Sequence, residues 1–232
     1  MTFTKAKKTN SKLRLAITGT AGSGKTYGAL LIAKGLEGKI AVIDTECGSA
    51  SLYSHFVDFD VCNLTPPFDP RRYVQLIHEA ENSGYNIIII DSLSHEWIGD
   101  GGCLDIQAKI AATKYKGNSY AAWRDVTPLH DALVQAVLAS PCHIIATMRA
   151  KTEYALTENR QVVKVGLAPV QRDGVDYEFG TVFDISASHL ASVSKDRTGI
   201  FPDTPFRITP EIGVKLRNWL NDDCNSNKEG EA

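Results

Sequence analysis

The sequence predicts an α/β fold in which a mainly parallel, twisted sheet carries helices on both faces. Three observations predict it. Short apolar, β-branched runs alternate with stretches of helical period, as in successive strand–helix–strand units. The run Asn86–Asp91 (NIIIID) is apolar without alternation, as in a central parallel strand covered on both sides. Glycine-rich, acidic or hydroxyl residues follow four of the strands, at the carboxyl ends where open α/β sheets bind ligands.

Each element has its own justification. Leu13–Thr18 (LRLAIT) reads as a buried strand that stops at glycine, and Gly19–Thr26 is a glycine-rich loop. Thr26–Leu36 follows with apolar residues at helical spacing. Lys39–Asp44 (KIAVID) is a second strand and Phe56–Val61 a third. Pro66–Pro70 turns the chain into a helix over Pro70–Asn82, with Tyr73, Leu76, Ile77 and Ala80 on one face. Residues 92–118 hold Gly99, Gly101, Gly102 and Gly117 and read as irregular. Ser119–Ala139 is a long helix in which Pro128 is expected to make a kink. His143–Thr147 is another buried strand, and residues 149–168 read as a long polar loop. Thr181–Ser186 and Leu190–Ser194 form a strand pair. In the closing helix, Thr209–Asn221, Thr209 is the expected cap, Pro210 the first residue and Glu211 part of the first turn.

Composition bounds the function. The 232 residues are 43% hydrophobic and 22% charged, which suits one globular domain with short tails. No run of about 18 apolar residues is present, so no membrane-spanning helix is expected. The polar start MTFTKAKKTNSK lacks the apolar stretch of a signal peptide, which predicts a cytoplasmic protein. Cys47, Cys62, Cys103, Cys142 and Cys224 lack metal-finger or redox spacing and read as reduced thiols. The 25 Lys and Arg against 27 Asp and Glu exclude a globally basic coat but not a local basic patch. Residues 1–12 form a basic arm, 13–221 the folded core and 222–232 an acidic tail, where Asp222, Asp223, Glu229 and Glu231 face only Lys228.

The loop after the first strand carries the clearest chemistry. Gly19-Thr20-Ala21-Gly22-Ser23-Gly24-Lys25-Thr26 matches G-x-x-x-x-G-K-[ST] in the required strand–loop–helix context, with Tyr27 next. Glycines let backbone N–H groups turn inward around phosphate oxygens, and the helix N-terminus adds positive potential. Lys25 is then expected on the terminal phosphates and Thr26 on Mg²⁺, with Asp91 completing the metal shell. Glu46, just past the second strand, is placed to orient and deprotonate a water in line with the γ-phosphate. Asp44 is expected to be structural. Thr147 is expected near the γ-phosphate as a sensor of its presence.

The combined pattern resembles the core of RecA-like recombinases over roughly residues 13–200. Ala41-Val42-Ile43-Asp44-Thr45-Glu46 is similar to the strand that ends in that family's catalytic glutamate. Ile88-Ile89-Ile90-Asp91-Ser92 is similar to its Walker B strand, and His143–Arg149 to the strand entering its second DNA-binding loop. Val193-Ser194-Lys195-Asp196-Arg197 resembles its late basic element, which implies that Lys195 and Arg197 reach the ATP of a neighbouring subunit. More narrowly, Asp91–Trp97, Ser140–Arg149 and Gly166–Gly174 resemble short phage-encoded RecA-like single-strand annealing proteins. The resemblance implies ATP as the nucleotide, action in a bacterial host cell, and annealing in homologous recombination. Thr147 departs from the glutamine of RecA itself, and no flanking domains are present, so annealing is expected over strand invasion.

Residues 149–172 hold Arg149, Lys151, Arg160, Lys164 and Arg172 against Glu153 and Glu158, with Tyr154 among them. Cations that track a backbone, with a ring for stacking, suit single-stranded DNA. Trp97 and His95 are candidates for DNA, nucleotide or core contacts. Phe3-Thr4-Lys5-Ala6 reads F-x-x-A, a pattern by which recombinases of this resemblance dock on the next subunit, so Phe3 and Ala6 are candidate assembly residues in a filament or ring. A single-strand-binding protein is a further candidate partner. Two other readings stay open: a nucleotide-gated loading module with little turnover, and a small-molecule phosphotransferase.

Overall fold

A computed structural model describes residues 11–156 and 162–222. The chain runs β1 (Arg14–Gly19), α1 (Lys25–Leu36), β2 (Ile40–Asp44), β3 (Asp60–Asn63), α2 (Pro70–Asn82), β4 (Ile87–Asp91), α3 (Ser94–Ile98), α4 (Cys103–Lys114) and α5 (Ser119–Ala139). It continues through β5 (His143–Leu156), β6 (Val162–Pro169), β7 (Thr181–Ile185), β8 (Ala191–Asp196) and α6 (Pro210–Asn221). The strands form one sheet in the order β3-β2-β4-β5-β1-β7-β8, with β6 added antiparallel to β5. Strands β3, β2, β4, β5, β1 and β7 are parallel, and only β6 and β8 run against their neighbours.

The four isoleucines of β4 explain the layering. Successive strand residues point to opposite faces. Ile88 and Ile90 join a cluster with Tyr73 and Ile77 of α2 and Leu133 and Val137 of α5. Ile87 and Ile89 join another with Leu30 and Ile32 of α1 and Leu216 and Leu220 of α6. An unalternating apolar strand is therefore one with two buried faces, and each such isoleucine contributes roughly 1.5–3 kcal/mol by leaving water.

Helices α1 and α6 approach through glycine. A Cβ on Gly35 would lie 1.9 Å from the Pro210 carbonyl oxygen, and one on Gly213 would lie 2.1 Å from that of Ile32. Both neighbours are backbone atoms, which cannot rotate away. Gly35→Ala is expected to destabilise the fold by about 1–3 kcal/mol despite the better helix propensity of alanine. A urea-unfolding midpoint equal to that of the wild type would show that the two helices can slide apart freely.

Half-buried His143 opens β5. Its Nδ1 accepts the Leu13 backbone N–H at 3.0 Å, which requires a lone pair there. Burial, with Lys12 and Arg14 nearby, lowers its pKa from 6.5 to about 4. The unfolded chain therefore takes up this proton first as pH falls. The stability tied to a neutral His143 is complete above about pH 6.5 and is lost between there and about pH 4. His143→Gln keeps an acceptor that does not titrate. It should lose less stability than the wild type across that window, and equal losses in urea titrations would contradict the assignment.

Several boundaries differ from the sequence reading. Residues 92–118 are not irregular: α4 buries Cys103, Gln107 and Ala111, a stripe too small and polar to register as an apolar period. The third strand lies at Asp60–Asn63, an exposed edge without apolar alternation, while Phe56 packs on Tyr27 and Tyr53. Residues 149–168 are largely an antiparallel hairpin in place of a loop. Helix α5 runs continuously through Pro128. Thr209 stands at the cap position of α6 without a side-chain capping bond; its side chain bonds Glu211 instead. Cys47, Cys62, Cys103 and Cys142 are free thiols among the described residues, and Cys224 lies outside them. Most of the basic arm and acidic tail also lies outside the described residues. No described helix is long and apolar enough to cross a membrane.

Candidate nucleotide site and the hairpin beside it

The parallel register brings the carboxyl ends of β1, β2, β4 and β5 to one edge. Gly19 pairs with Arg149 on one side and Ile185 on the other, and Asp44 pairs with Asp91. The loop from Gly19 to Lys25 turns over this edge. Gly22 and Gly24 have φ of 74° and 95°, the left-handed region that glycine enters without strain. Gly19 is required for another reason: a Cβ there would meet Ser23 Oγ at 2.4 Å and the Ile185 carbonyl oxygen at 2.8 Å.

The predicted phosphate and metal groups do converge. Lys25 Nζ donates to the Thr20 carbonyl at 2.8 Å across the loop. Burial lowers the pKa of its ammonium, while Asp91 and Glu46 act to raise it. Thr26 Oγ1 donates to Asp91 Oδ2 at 2.6 Å. Burial pushes the Asp91 carboxyl above the usual range; the Thr147 and Thr26 hydroxyls oppose this, and Asp44 and Glu46 add to it. A hydroxyl beside a buried carboxylate is a hard-oxygen donor set that suits Mg²⁺, and a dication would offset the negative charge gathered there. Buried Ser23 Oγ has no protein partner, an orphaned group inside the phosphate loop. These residues fit a Mg·nucleotide.

Thr147 is placed differently from expectation. It is fully buried and its hydroxyl donates to Asp91 Oδ1, so it holds the carboxylate of the candidate metal site. Asp44 is structural, as expected: its carboxylate accepts the backbone N–H groups of Glu46 at 2.6 Å and Ala50 at 3.0 Å.

Glu46 reaches the same edge but is not free. Arg149 donates Nε to Oε1 at 3.0 Å and Nη2 to Oε2 at 2.6 Å, and Ser92 Oγ donates to Oε1 at 3.2 Å. Burial raises the Glu46 pKa, but the hydrogen bonds and charge of Arg149, with His95 and Ser92, outweigh it and hold the carboxyl below its ordinary value. Both carboxylate oxygens accept hydrogen bonds in this arrangement.

Arg149 belongs to β5, whose first residues are core and whose later ones project beyond the sheet edge as the hairpin with β6. Lys151 is exposed and pairs with Ala168, and Tyr154 pairs with Lys164 in the backbone register. Arg160 lies outside the described residues. Arg172, past the hairpin, pairs with Asp131 at 3.2 Å. Lys195 and Arg197 are far from the site: β8 runs antiparallel, so its last residues return to the amino-terminal edge of the sheet. There Lys195 bonds the Tyr177 carbonyl, and the Arg197 N–H bonds that of Gly180. Neither reaches the nucleotide site of its own chain. Phe3 and Ala6 lie outside the described residues.

Other residues at the site gave no sequence signal. Next to the phosphate loop is a cleft of about 760 Å³ whose lining includes Tyr27, Tyr53, Ile185, His189, Arg207 and Ile208. Tyr27 was expected there as the neighbour of Thr26. Tyr53 ends a 3₁₀ turn and packs edge-on against Tyr27 at 5.5 Å. His189 Nδ1 bonds the Ser23 carbonyl at 2.9 Å. These side chains come from separate loops that only the fold assembles. His95 is tied to Thr45 Oγ1 at 2.7 Å and stacks on Phe68, so it supports the loop that carries Glu46.

A phosphate loop after β1, a carboxylate on the strand beyond its neighbour and a mostly parallel sheet define a P-loop NTPase of the α/β class. The chain matches the AAA domain family over residues 11–202 and belongs to it. No curated protein matches the chain.

Proposed function

We propose that the protein is an ATP-driven, RecA-like switch that assembles on single-stranded DNA and promotes annealing in homologous recombination. The observation that carries this reading is the ion pair between Glu46 and Arg149. It joins the candidate base for ATP hydrolysis to the last residue of β5 still paired with β1, directly before the β5–β6 hairpin begins at Ala150. A ligand that draws the hairpin, and Arg149 with it, away from Glu46 frees a carboxylate to activate water. DNA phosphates are such a ligand, because they compete directly for the guanidinium.

In this reading Lys25 and Thr26 with Asp91 hold Mg·ATP, and Glu46 deprotonates the attacking water. Lys151, Tyr154, Arg160 and Lys164 of the hairpin segment, with Arg149 and Arg172, contact the DNA. Lys195 and Arg197 sit on the edge opposite the nucleotide, so any role on ATP requires the site of another copy. In the proposed assembly ATP is bound between protomers, with Phe3 and Ala6, which lie outside the described residues, as the docking segment.

Phosphate release from Mg·ATP, measured with and without an oligothymidylate, tests the proposal. Slow basal release that rises severalfold with DNA is expected, together with faster pairing of complementary strands. ATP binding with no response to DNA would favour a nucleotide-gated partner module. Phosphate transfer to a metabolite would make the protein a phosphotransferase.

A further inference from the structure

Helix α5 has an unusual outer face. Its inner face is ordinary, with Ala122, Val126, His130, Leu133, Ala136 and Val137 buried. Tyr120, Trp123 and Arg124 recur at i, i+3 and i+4 on the other side, and Tyr120 is 88% exposed. With Trp97 of α3, Tyr115 after α4 and Arg172 after β6, they line an open groove of about 790 Å³. Trp97 and Trp123 stack there with ring centres 5.4 Å apart and planes inclined by 18°. The groove has four aromatic rings and two guanidinium groups in its lining, and one of the two, Arg172, pairs with Asp131 at 3.2 Å, so a phosphate would compete with that carboxylate. Lys114 lies at its rim, 5.3 Å over the Tyr115 ring, and pairs with Asp125.

The walls are held from beneath. Buried Glu96 accepts Cys103 Sγ–H at 3.0 Å and Gln171 Nε2–H at 2.9 Å, and bonds His130 Nδ1 at 3.1 Å. The ligand-type atoms of Glu96, Cys103 and His130 lie within 4.8 Å of one another, a spacing these hydrogen bonds explain. Glu96 precedes Trp97 in the chain and Gln171 precedes Arg172, while the His130 ring meets Trp97 edge-on at 5.5 Å. One network thus supports both Trp97 and the segment that carries Arg172, so a ligand would find the groove already ordered.

We infer that this groove is a binding site for single-stranded nucleic acid. Bases stack on Tyr120 and the Trp97–Trp123 pair, and Arg124 and Arg172 take the phosphates. The combination of flat rings with guanidinium groups is complementary to exposed bases on a polyanion, whereas a duplex hides its base faces. Its position fits a continuous track, because β6 of the hairpin leads directly into the Arg172 wall. The inference rests on the DNA-binding reading above and extends it to a second surface, outside the hairpin.

The test is binding of a fluorescent oligothymidylate to the full chain by anisotropy, with tryptophan quenching read in parallel. Wild type, Tyr120→Ala, Arg124→Ala and Lys151→Ala are compared after thermal melts confirm that each is folded. Tyr120→Ala should weaken binding about 5- to 100-fold. Arg124→Ala should flatten the dependence of log affinity on log salt by about 0.7. Duplex DNA should compete poorly. Unchanged affinity in both groove variants, with a loss in Lys151→Ala, would overturn the groove while leaving the hairpin as the DNA site. Equal competition by duplex would overturn stacking. No binding by wild-type protein in any nucleotide state would end both readings.

Discussion

Lys25→Ala is expected to cost about 10²–10³-fold in ATP hydrolysis, the scale of losing a preorganised charge on a reacting group. The reason is local. Lys25 is the cation set against the phosphate loop, and its ammonium crosses that loop to the Thr20 carbonyl at 2.8 Å. Its removal leaves Asp91, Glu46 and Asp44 on the same edge with less positive charge to balance nucleotide phosphates. Affinity for Mg·ATP should fall as well, by about 10- to 150-fold, the range of a lost hydrogen bond to a charged group. Stability should change little, because the Lys25 amine is not packed in either apolar cluster. Titration with a fluorescent ATP analogue and a phosphate-release assay check the two parts. Hydrolysis within twofold of wild type would mean that Gly19–Thr26 does not hold the reacting phosphates.

The second large effect separates Glu46 from its guard. Glu46→Gln should reduce hydrolysis about 10²–10⁴-fold while leaving nucleotide binding nearly intact, as expected for loss of a general base. Arg149→Ala should act in the opposite direction. It removes the guanidinium that now bonds both oxygens of Glu46 at 3.0 and 2.6 Å, leaving the Ser92 hydroxyl on Oε1, and removes the main charge that holds the carboxyl down. Hydrolysis without DNA should rise, and stimulation by DNA should shrink. The acid limb of the pH–rate profile should move up toward the value of an ordinary glutamate. The double variant should be as inactive as Glu46→Gln. If Arg149→Ala lowers basal hydrolysis, Arg149 assists the reaction and does not restrain it.

The nucleotide site was legible in the sequence because its chemistry is contiguous. Gly19–Thr26 is a single segment, and Asp91 is marked by the isoleucines before it. Layering was legible for the same reason, since two buried faces leave an unbroken apolar strand. What escaped was whatever depends on contacts distant in sequence. Helix α4 was hidden because its inner stripe is Cys103, Gln107 and Ala111, and Gln107 bonds the Ser119 carbonyl where an apolar contact would have left a period. The hairpin was hidden because the later part of β5 pairs only with β6 and its sequence, KTEYAL, carries no sustained apolar alternation. The Arg149–Glu46 pair spans 103 positions, and the role of Thr147 turns on a hydroxyl that meets Asp91 across neighbouring strands. Neither a spacing nor a motif carries such information.

In the proposed function, nucleotide state and single-stranded DNA binding are one coupled equilibrium. Its most direct measurement is the affinity of the full chain for a labelled oligothymidylate by anisotropy, with Mg²⁺ and a non-hydrolysable ATP analogue present or absent, for wild type and Lys25→Ala. The account predicts tight, salt-sensitive binding by wild type with the analogue, weaker binding without it, and no effect of the analogue on Lys25→Ala. Equal affinity in all four conditions, or none in any, would contradict it.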